Sequence, residues 1–150
     1  MRAVLFVCTA NICRSPTARG VLTKLTHGNG LSIDAAGTHD YHVGMPPSPQ
    51  AVEAAKRRGY DLTQYRARQV AAEDFDRFDL ILAMDKGHLK HLRSIAPTRC
   101  REKIELFLDY GDKFHGEEVP DPFGRSDADY ENALDRIEDG CRGLAVVLIR

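Results

Sequence analysis

The sequence predicts an α/β fold, a doubly wound parallel sheet with a phosphate-binding loop after its first strand. Three observations predict it. Short, continuously apolar runs recur, as in Ala3-Val4-Leu5-Phe6-Val7 and Leu80-Ile81-Leu82-Ala83-Met84, the composition of strands buried on both faces. Segments of helical character, bounded by Ser, Gly and Pro, alternate with these runs. Between the first run and the first helix lies Val7-Cys8-Thr9-Ala10-Asn11-Ile12-Cys13-Arg14-Ser15-Pro16, in which five residues separate Cys8 from Arg14.

The elements follow in order. Strand 1, Ala3 to Val7, puts Cys8 at its carboxyl end. Ser15-Pro16-Thr17 reads as a helix start, because a proline in the first turn has a suitable φ and no hydrogen bond to lose. Helix 1 then runs from Ser15 to Thr26 and stops at Gly28-Asn29-Gly30. Leu31 to Ala36 is strand 2, ended by Gly37. Ser48 to Arg58 is an amphipathic helix with Pro49 in its first turn and Gly59 as its stop. Ala71 to Phe78 is a short helix, and Leu80 to Met84 the next buried strand. Lys86 to Ala96 is a helix closed by Pro97, Lys103 to Leu106 the last strand, and Asp127 to Ile149 a long final helix. Right-handed crossovers would make the sheet parallel and place a ligand site at the carboxyl ends of its strands, where Cys8 sits. Neither repeat nor linker interrupts the chain, so residues 1–150 are expected to form one domain.

The loop itself implies chemistry. Backbone N–H groups wrapped between strand and helix, with the positive end of the helix dipole, favour a bound dianion. The same field favours the thiolate of Cys8. Arg14 offers a planar fork that can hold two phosphoryl oxygens at once. Ser15 can donate a hydrogen bond to the sulfur and ease its departure as a leaving group. A cysteine and arginine at this spacing can also be a buried strand end and a solvated side chain. The strand before them and the Arg-Ser-Pro helix start after them favour the cradle.

Val7 to Pro16 resembles the active-site loop of the low-molecular-weight protein tyrosine phosphatases. Val119-Pro120-Asp121-Pro122-Phe123-Gly124 is similar to the acidic loop of that family, and the resemblance covers essentially the whole chain. It implies a three-layer sandwich around a four-stranded parallel sheet. It also implies phosphotyrosine hydrolysis through a cysteinyl-phosphate, with Cys8 as nucleophile, Arg14 gripping the phosphoryl group and Asp121 as acid and then base. Thr9, Ala10, Asn11, Ile12, Cys13 and Ser15 would complete the cradle. Asp34 to Gly44 resembles the family's substrate-facing loop, so Tyr41 and Phe123 would form two aromatic walls against the substrate ring. Cys13 matches a second cysteine that can trap the oxidised nucleophile as a disulfide.

Four positions depart from the family pattern. Ala10 stands at a common glycine and Arg19 at a common glutamate. Ala35 and Tyr65 stand where a serine and a histidine often support Asn11 and Ser15. The Tyr65 hydroxyl is the candidate replacement for that support, and a lower rate than a typical member's is the expected cost of failure.

Composition sets limits on function. At 150 residues, 43% hydrophobic and 29% charged, the chain can bury one real core. A net charge of −1 gives no general attraction to nucleic acid or acidic membranes. The four cysteines Cys8, Cys13, Cys100 and Cys141 have no metal-site spacing, and no signal-peptide pattern opens the sequence. These features predict a cytoplasmic, monomeric enzyme without cofactor or metal, since Arg14 and the loop amides supply the charge that phosphoryl transfer needs. Its partner would be a tyrosine-phosphorylated protein, and bacterial members of the family often act with a tyrosine kinase. His88 and His91 read as part of a solvated basic face with Lys86, Lys90 and Arg93. Two other functions fit the loop less well. An arsenate reductase of this fold needs relay cysteines after the third strand, and Asp85 to Pro97 contains none. A non-catalytic phosphotyrosine-binding module has no need of Cys8, Arg14 and Asp121 together.

Overall fold

The computed structural model describes residues 2–27 and 29–149. Four parallel strands form one sheet: β1 (Ala3–Cys8), β2 (Ser32–Gly37), β3 (Leu80–Ala83) and β4 (Ile104–Leu106), in the spatial order β2-β1-β3-β4. Among the described residues the α-helices are α1 (Arg14–Thr26), α2 (Pro49–Arg57), α3 (Asp74–Arg77), α4 (Lys86–Ile95) and α5 (Asp127–Ile149). Side chains alternate across a strand, so the apolar run of β1 feeds two cores. Val4, Phe6 and Cys8 pack with Val21 and Leu22 of α1 and Leu134 and Ile137 of α5. Leu5 and Val7 face the other way, onto Phe75 of α3 and Leu92 of α4. The three-layer sandwich follows. An edge-to-face contact of Phe6 with Phe107, ring centres 5.4 Å apart, joins the sheet to the chain after β4.

Chain order and spatial order diverge at β1, because the chain leaves it for β2 on one side and β3 lies on the other. Loops from the carboxyl ends of β1 and β3 therefore splay apart and open a crevice. The site belongs there.

Some local expectations change. Helix α1 starts one residue early, with Cys13 at its N-cap and no side chain bonded to its first turn. Ser15 does not cap it, because that hydroxyl is buried and engaged elsewhere. The predicted helix over Ala71 to Phe78 shrinks to Asp74–Arg77, since the Asp74 carboxylate accepts from the Ala71 N–H at 2.7 Å and holds a turn ahead of it. Helix α1 ends at Thr26, as expected, with His27 capping it at a left-handed φ of 52°; of the predicted Gly28-Asn29-Gly30 stop, Gly28 lies outside the described residues. Among the described residues, no helix is long and apolar enough to cross a membrane.

Candidate active site

The loop from β1 to α1 is held open by its own carbonyls. Those of Cys8, Thr9 and Ile12 accept outward, from the N–H groups of Thr38, His39 and Ser48 at 2.8, 2.9 and 2.8 Å. In a planar trans peptide the next N–H points the opposite way, so the amides of Thr9, Ala10 and Cys13 turn inward. Gly37 makes this path available. A Cβ there would lie 2.6 Å from the Thr9 carbonyl oxygen, so β2 must end in glycine for the loop to cross it. The strained position is Asn11, at φ 59°, while Ala10 lies outside the left-handed region and costs the loop nothing for its missing glycine.

Asn11 is buried and bonds inward. Its Nδ2 donates to the Ala35 carbonyl at 3.3 Å, and its Oδ1 accepts from Ser15 Oγ at 2.7 Å. Ser15 Oγ is also 3.0 Å from Cys8 Sγ. One hydroxyl proton cannot serve both neighbours. With Cys8 protonated, the thiol donates to Ser15, which donates to Asn11; with Cys8 ionised, the Ser15 hydroxyl can turn to the sulfur. Tyr65 takes no part in this support. Its ring lies under the Arg19 guanidinium at 4.2 Å, and a backbone carbonyl, that of Ala35, holds Asn11 instead.

Arg14 is 5% exposed. Its Nη1 donates to Asp85 Oδ2 and to the Val119 carbonyl, both at 3.1 Å, and its Nη2 lies 3.8 Å from Asp121 Oδ2. Asp85 does two jobs, since its Oδ1 caps α4 by accepting from the His88 N–H at 2.8 Å. Burial works against that carboxylate, but the His88 N–H and the Arg14 guanidinium outweigh it and hold Asp85 below the usual range. Asp121 is half-exposed at the mouth, braced by the Phe123 N–H at 3.1 Å.

These groups surround a cavity of about 230 Å³. Cys8, Thr9, Ala10, Ile12, Cys13, Arg14, Tyr41, Asp121 and Phe123 line it, and His42 joins them. Asn11 and Ser15 do not line it; they stand behind the loop and shape it. Cys13 Sγ is held by Ser48 Oγ at 3.3 Å and the Tyr130 hydroxyl at 3.7 Å, and burial pushes its thiol up to about 11. Tyr41 stacks on His39 with ring centres 4.9 Å apart, and His39 on His91 at 6.0 Å.

Sequence reasoning missed Asp85 and misplaced His88. Asp85 had a readable signal, an acidic N-cap at the carboxyl end of a buried strand. His88 is not on a solvated face: it is 6% exposed, with Nε2 2.8 Å from Thr9 Oγ1. His91, one turn on, is exposed as expected. Burial drives the His88 imidazole down to about 4 despite Asp85 beside it.

The family model described as "Low molecular weight phosphotyrosine protein phosphatase" matches residues 3–150. The chain belongs to this family. A Synechocystis relative, provisionally named a low molecular weight protein-tyrosine-phosphatase, is 41% identical over 150 residues, covering 97% of this chain and 95% of its own. Among solved structures, a protein tyrosine phosphatase from Entamoeba histolytica with Hepes in its active site superimposes with a TM-score of 0.93 at 33% identity, covering 99% of this chain and 97% of that one. Vibrio vulnificus Wzb in complex with benzylphosphonate gives 0.88 at 31%, with 97% and 98% covered. Family membership accounts for the parallel sheet and the cysteine loop after its first strand.

Proposed function

We propose that this member of the family hydrolyses phosphotyrosine in proteins, and small aryl phosphates, through a cysteinyl-phosphate on Cys8. One observation carries the reading: a cysteine and a buried arginine from one loop and a carboxylate from a distant segment converge on one cavity lined by two aromatic rings. The inward amides and Arg14 hold the phosphoryl oxygens. The Cys8 thiolate attacks phosphorus, the S–P bond forms, and the P–O bond to the ring breaks as protonated Asp121 gives its proton to the leaving oxygen. Asp121, now ionised, takes a proton from the water that attacks the phosphocysteine. The S–P bond then breaks, phosphate leaves, and Ser15 turns its hydroxyl to the departing sulfur. The benzylphosphonate in the related Wzb structure, a benzyl group on a phosphorus acid, suits the same pairing of cradle and aromatic wall.

Turnover of p-nitrophenyl phosphate tests the assignment. Cys8→Ser is expected to abolish it, and Asp121→Asn to lower kcat by about 10²- to 10⁴-fold. A parent protein without turnover overturns the reading and leaves the binding module in its place.

The physiological partner under this proposal is a tyrosine-phosphorylated protein, with a bacterial tyrosine kinase as one candidate. Residues 1–150 act as one domain and as a monomer, a reading supported by the chain's own helices packing on both faces of its sheet. A reducing, cytoplasmic setting keeps the nucleophile available. Cys13 would protect an oxidised Cys8 by forming a disulfide with it, and the shared cavity supports this pairing. Burial keeps Cys13 protonated, which makes it a slow partner. After peroxide and then dithiothreitol, Cys13→Ser should recover less activity than the parent; equal recovery removes the role.

A further inference from the structure

The buried histidine behind the cradle has one ring nitrogen bonded and one not. His88 Nε2 meets Thr9 Oγ1 at 2.8 Å, while Nδ1 lies 3.1 Å from Asp85 Oδ1 at an angle that makes no hydrogen bond. Thr9 lines the cavity beside Cys8 and Arg14, and Asp85 holds Arg14. His88 thus touches the cradle wall on one side and the carboxylate that aims the arginine on the other.

Its tautomer follows from charge. A proton on Nδ1 puts the positive end of an N–H dipole beside the Asp85 carboxylate, whereas a bare Nδ1 would point a lone pair at it. Nε2 is then the acceptor, and the Thr9 hydroxyl proton is committed to His88, away from the cavity. Four groups set the balance on the ring: Asp85 at the cap of its own helix, Arg14 of α1, Asp121 of the acidic loop and His39 after β2. In the empty site they and burial leave the ring neutral. A phosphoryl dianion adds negative charge on the Thr9 side.

We propose that His88 is a positioning residue that takes up a proton when an oxyanion fills the cradle, freeing the Thr9 hydroxyl to donate to that anion. The proton comes from solvent and lands on Nε2. Nε2–H then donates to Thr9 Oγ1, Thr9 turns its own proton toward the ligand, and Nδ1–H stays against Asp85. No bond between heavy atoms forms or breaks. The inference rests on the oxyanion-cradle reading of the site and adds a proton-linked step to it.

Inorganic sulfate is the probe, because it carries no proton of its own to exchange near neutral pH. The ring resonances of His88, assigned through its backbone amide in the labelled full chain, are followed by NMR down to about pH 5 with and without saturating sulfate. Without sulfate the ring should stay neutral across that range. With sulfate its midpoint should rise by at least about one unit, a tenfold tighter proton. In Thr9→Val the rise should shrink.

Sulfate that binds while the His88 midpoint stays put overturns the inference and leaves the cradle intact. A rise undiminished in Thr9→Val overturns the Thr9 step. Failure of sulfate to perturb any resonance of the loop overturns the cradle reading itself, and the inference with it.

Discussion

Tyr41 is 66% exposed, yet its ring plane is set by neighbours. It lies at 20° to His39, which lies at 22° to exposed His91, and Thr38 Oγ1 holds His39 Nδ1 at 2.7 Å. A flat wall prepared in advance costs little entropy when a planar substrate arrives. Removing the wall should therefore weaken binding more than chemistry. Tyr41→Ala is expected to raise KM for p-nitrophenyl phosphate by about 5- to 10-fold, on the order of 1 kcal/mol of aromatic contact, with kcat within about twofold. His39→Ala should give about half that free energy. Steady-state kinetics checks both, and an unchanged KM for Tyr41→Ala removes it from the wall. The sequence named Tyr41 through a resemblance but gave no sign of the histidines beneath it. A stack between residues 39 and 91 depends on how a loop and a helix end come to lie side by side, which local pattern does not encode.

At the scale of elements, the end of β2 shapes the cradle. Gly37 pairs with Cys8 in the sheet register, and the loop carbonyl of Thr9 passes where a Cβ would be. Gly37→Ala must push that carbonyl away, and the inward amide of Ala10 moves with it. The expected cost is about 1–3 kcal/mol of stability from overpacking and at least about a tenfold loss of kcat/KM from misplaced donors. Urea denaturation and p-nitrophenyl phosphate turnover measure the two separately. Normal turnover would show that the loop does not depend on this crossing. Sequence reasoning read Gly37 only as a strand terminator, because a glycine's role in close approach is visible only once its neighbour is placed.

Across the whole molecule, acid should act first through His88. Its imidazole titrates at about 4 in the folded chain against an ordinary value of 6.5. The unfolded chain therefore binds a proton that the native one refuses, and stability falls as pH drops from 6.5 toward 4. Between 6.5 and about pH 5 this amounts to about 2 kcal/mol. Carboxylates held below their usual range, such as half-buried Asp85 beside Arg14, add their loss only at lower pH, as they protonate. Urea denaturation at pH 6.5 and 5 should show the early loss in the parent and a flatter profile in His88→Gln. Equal slopes would place the sensitive group elsewhere.

The sequence by itself determined the alternation of strands and helices, the position of Cys8 at a strand end, and the cysteine, arginine and aspartate that meet there. These are written in short-range signals: apolar runs, a proline in a first turn, a loop of fixed spacing. Only the tertiary structure decided what stands behind them. It replaced the expected Tyr65 support with the Ala35 carbonyl, put the left-handed backbone of the loop at Asn11, and took His88 from the surface to the cradle wall. Each outcome turns on which atoms from distant segments lie within about 3 Å of one another, the range over which hydrogen bonds and packing act. That distance exists only after the sheet has brought β1, β2 and β3 side by side.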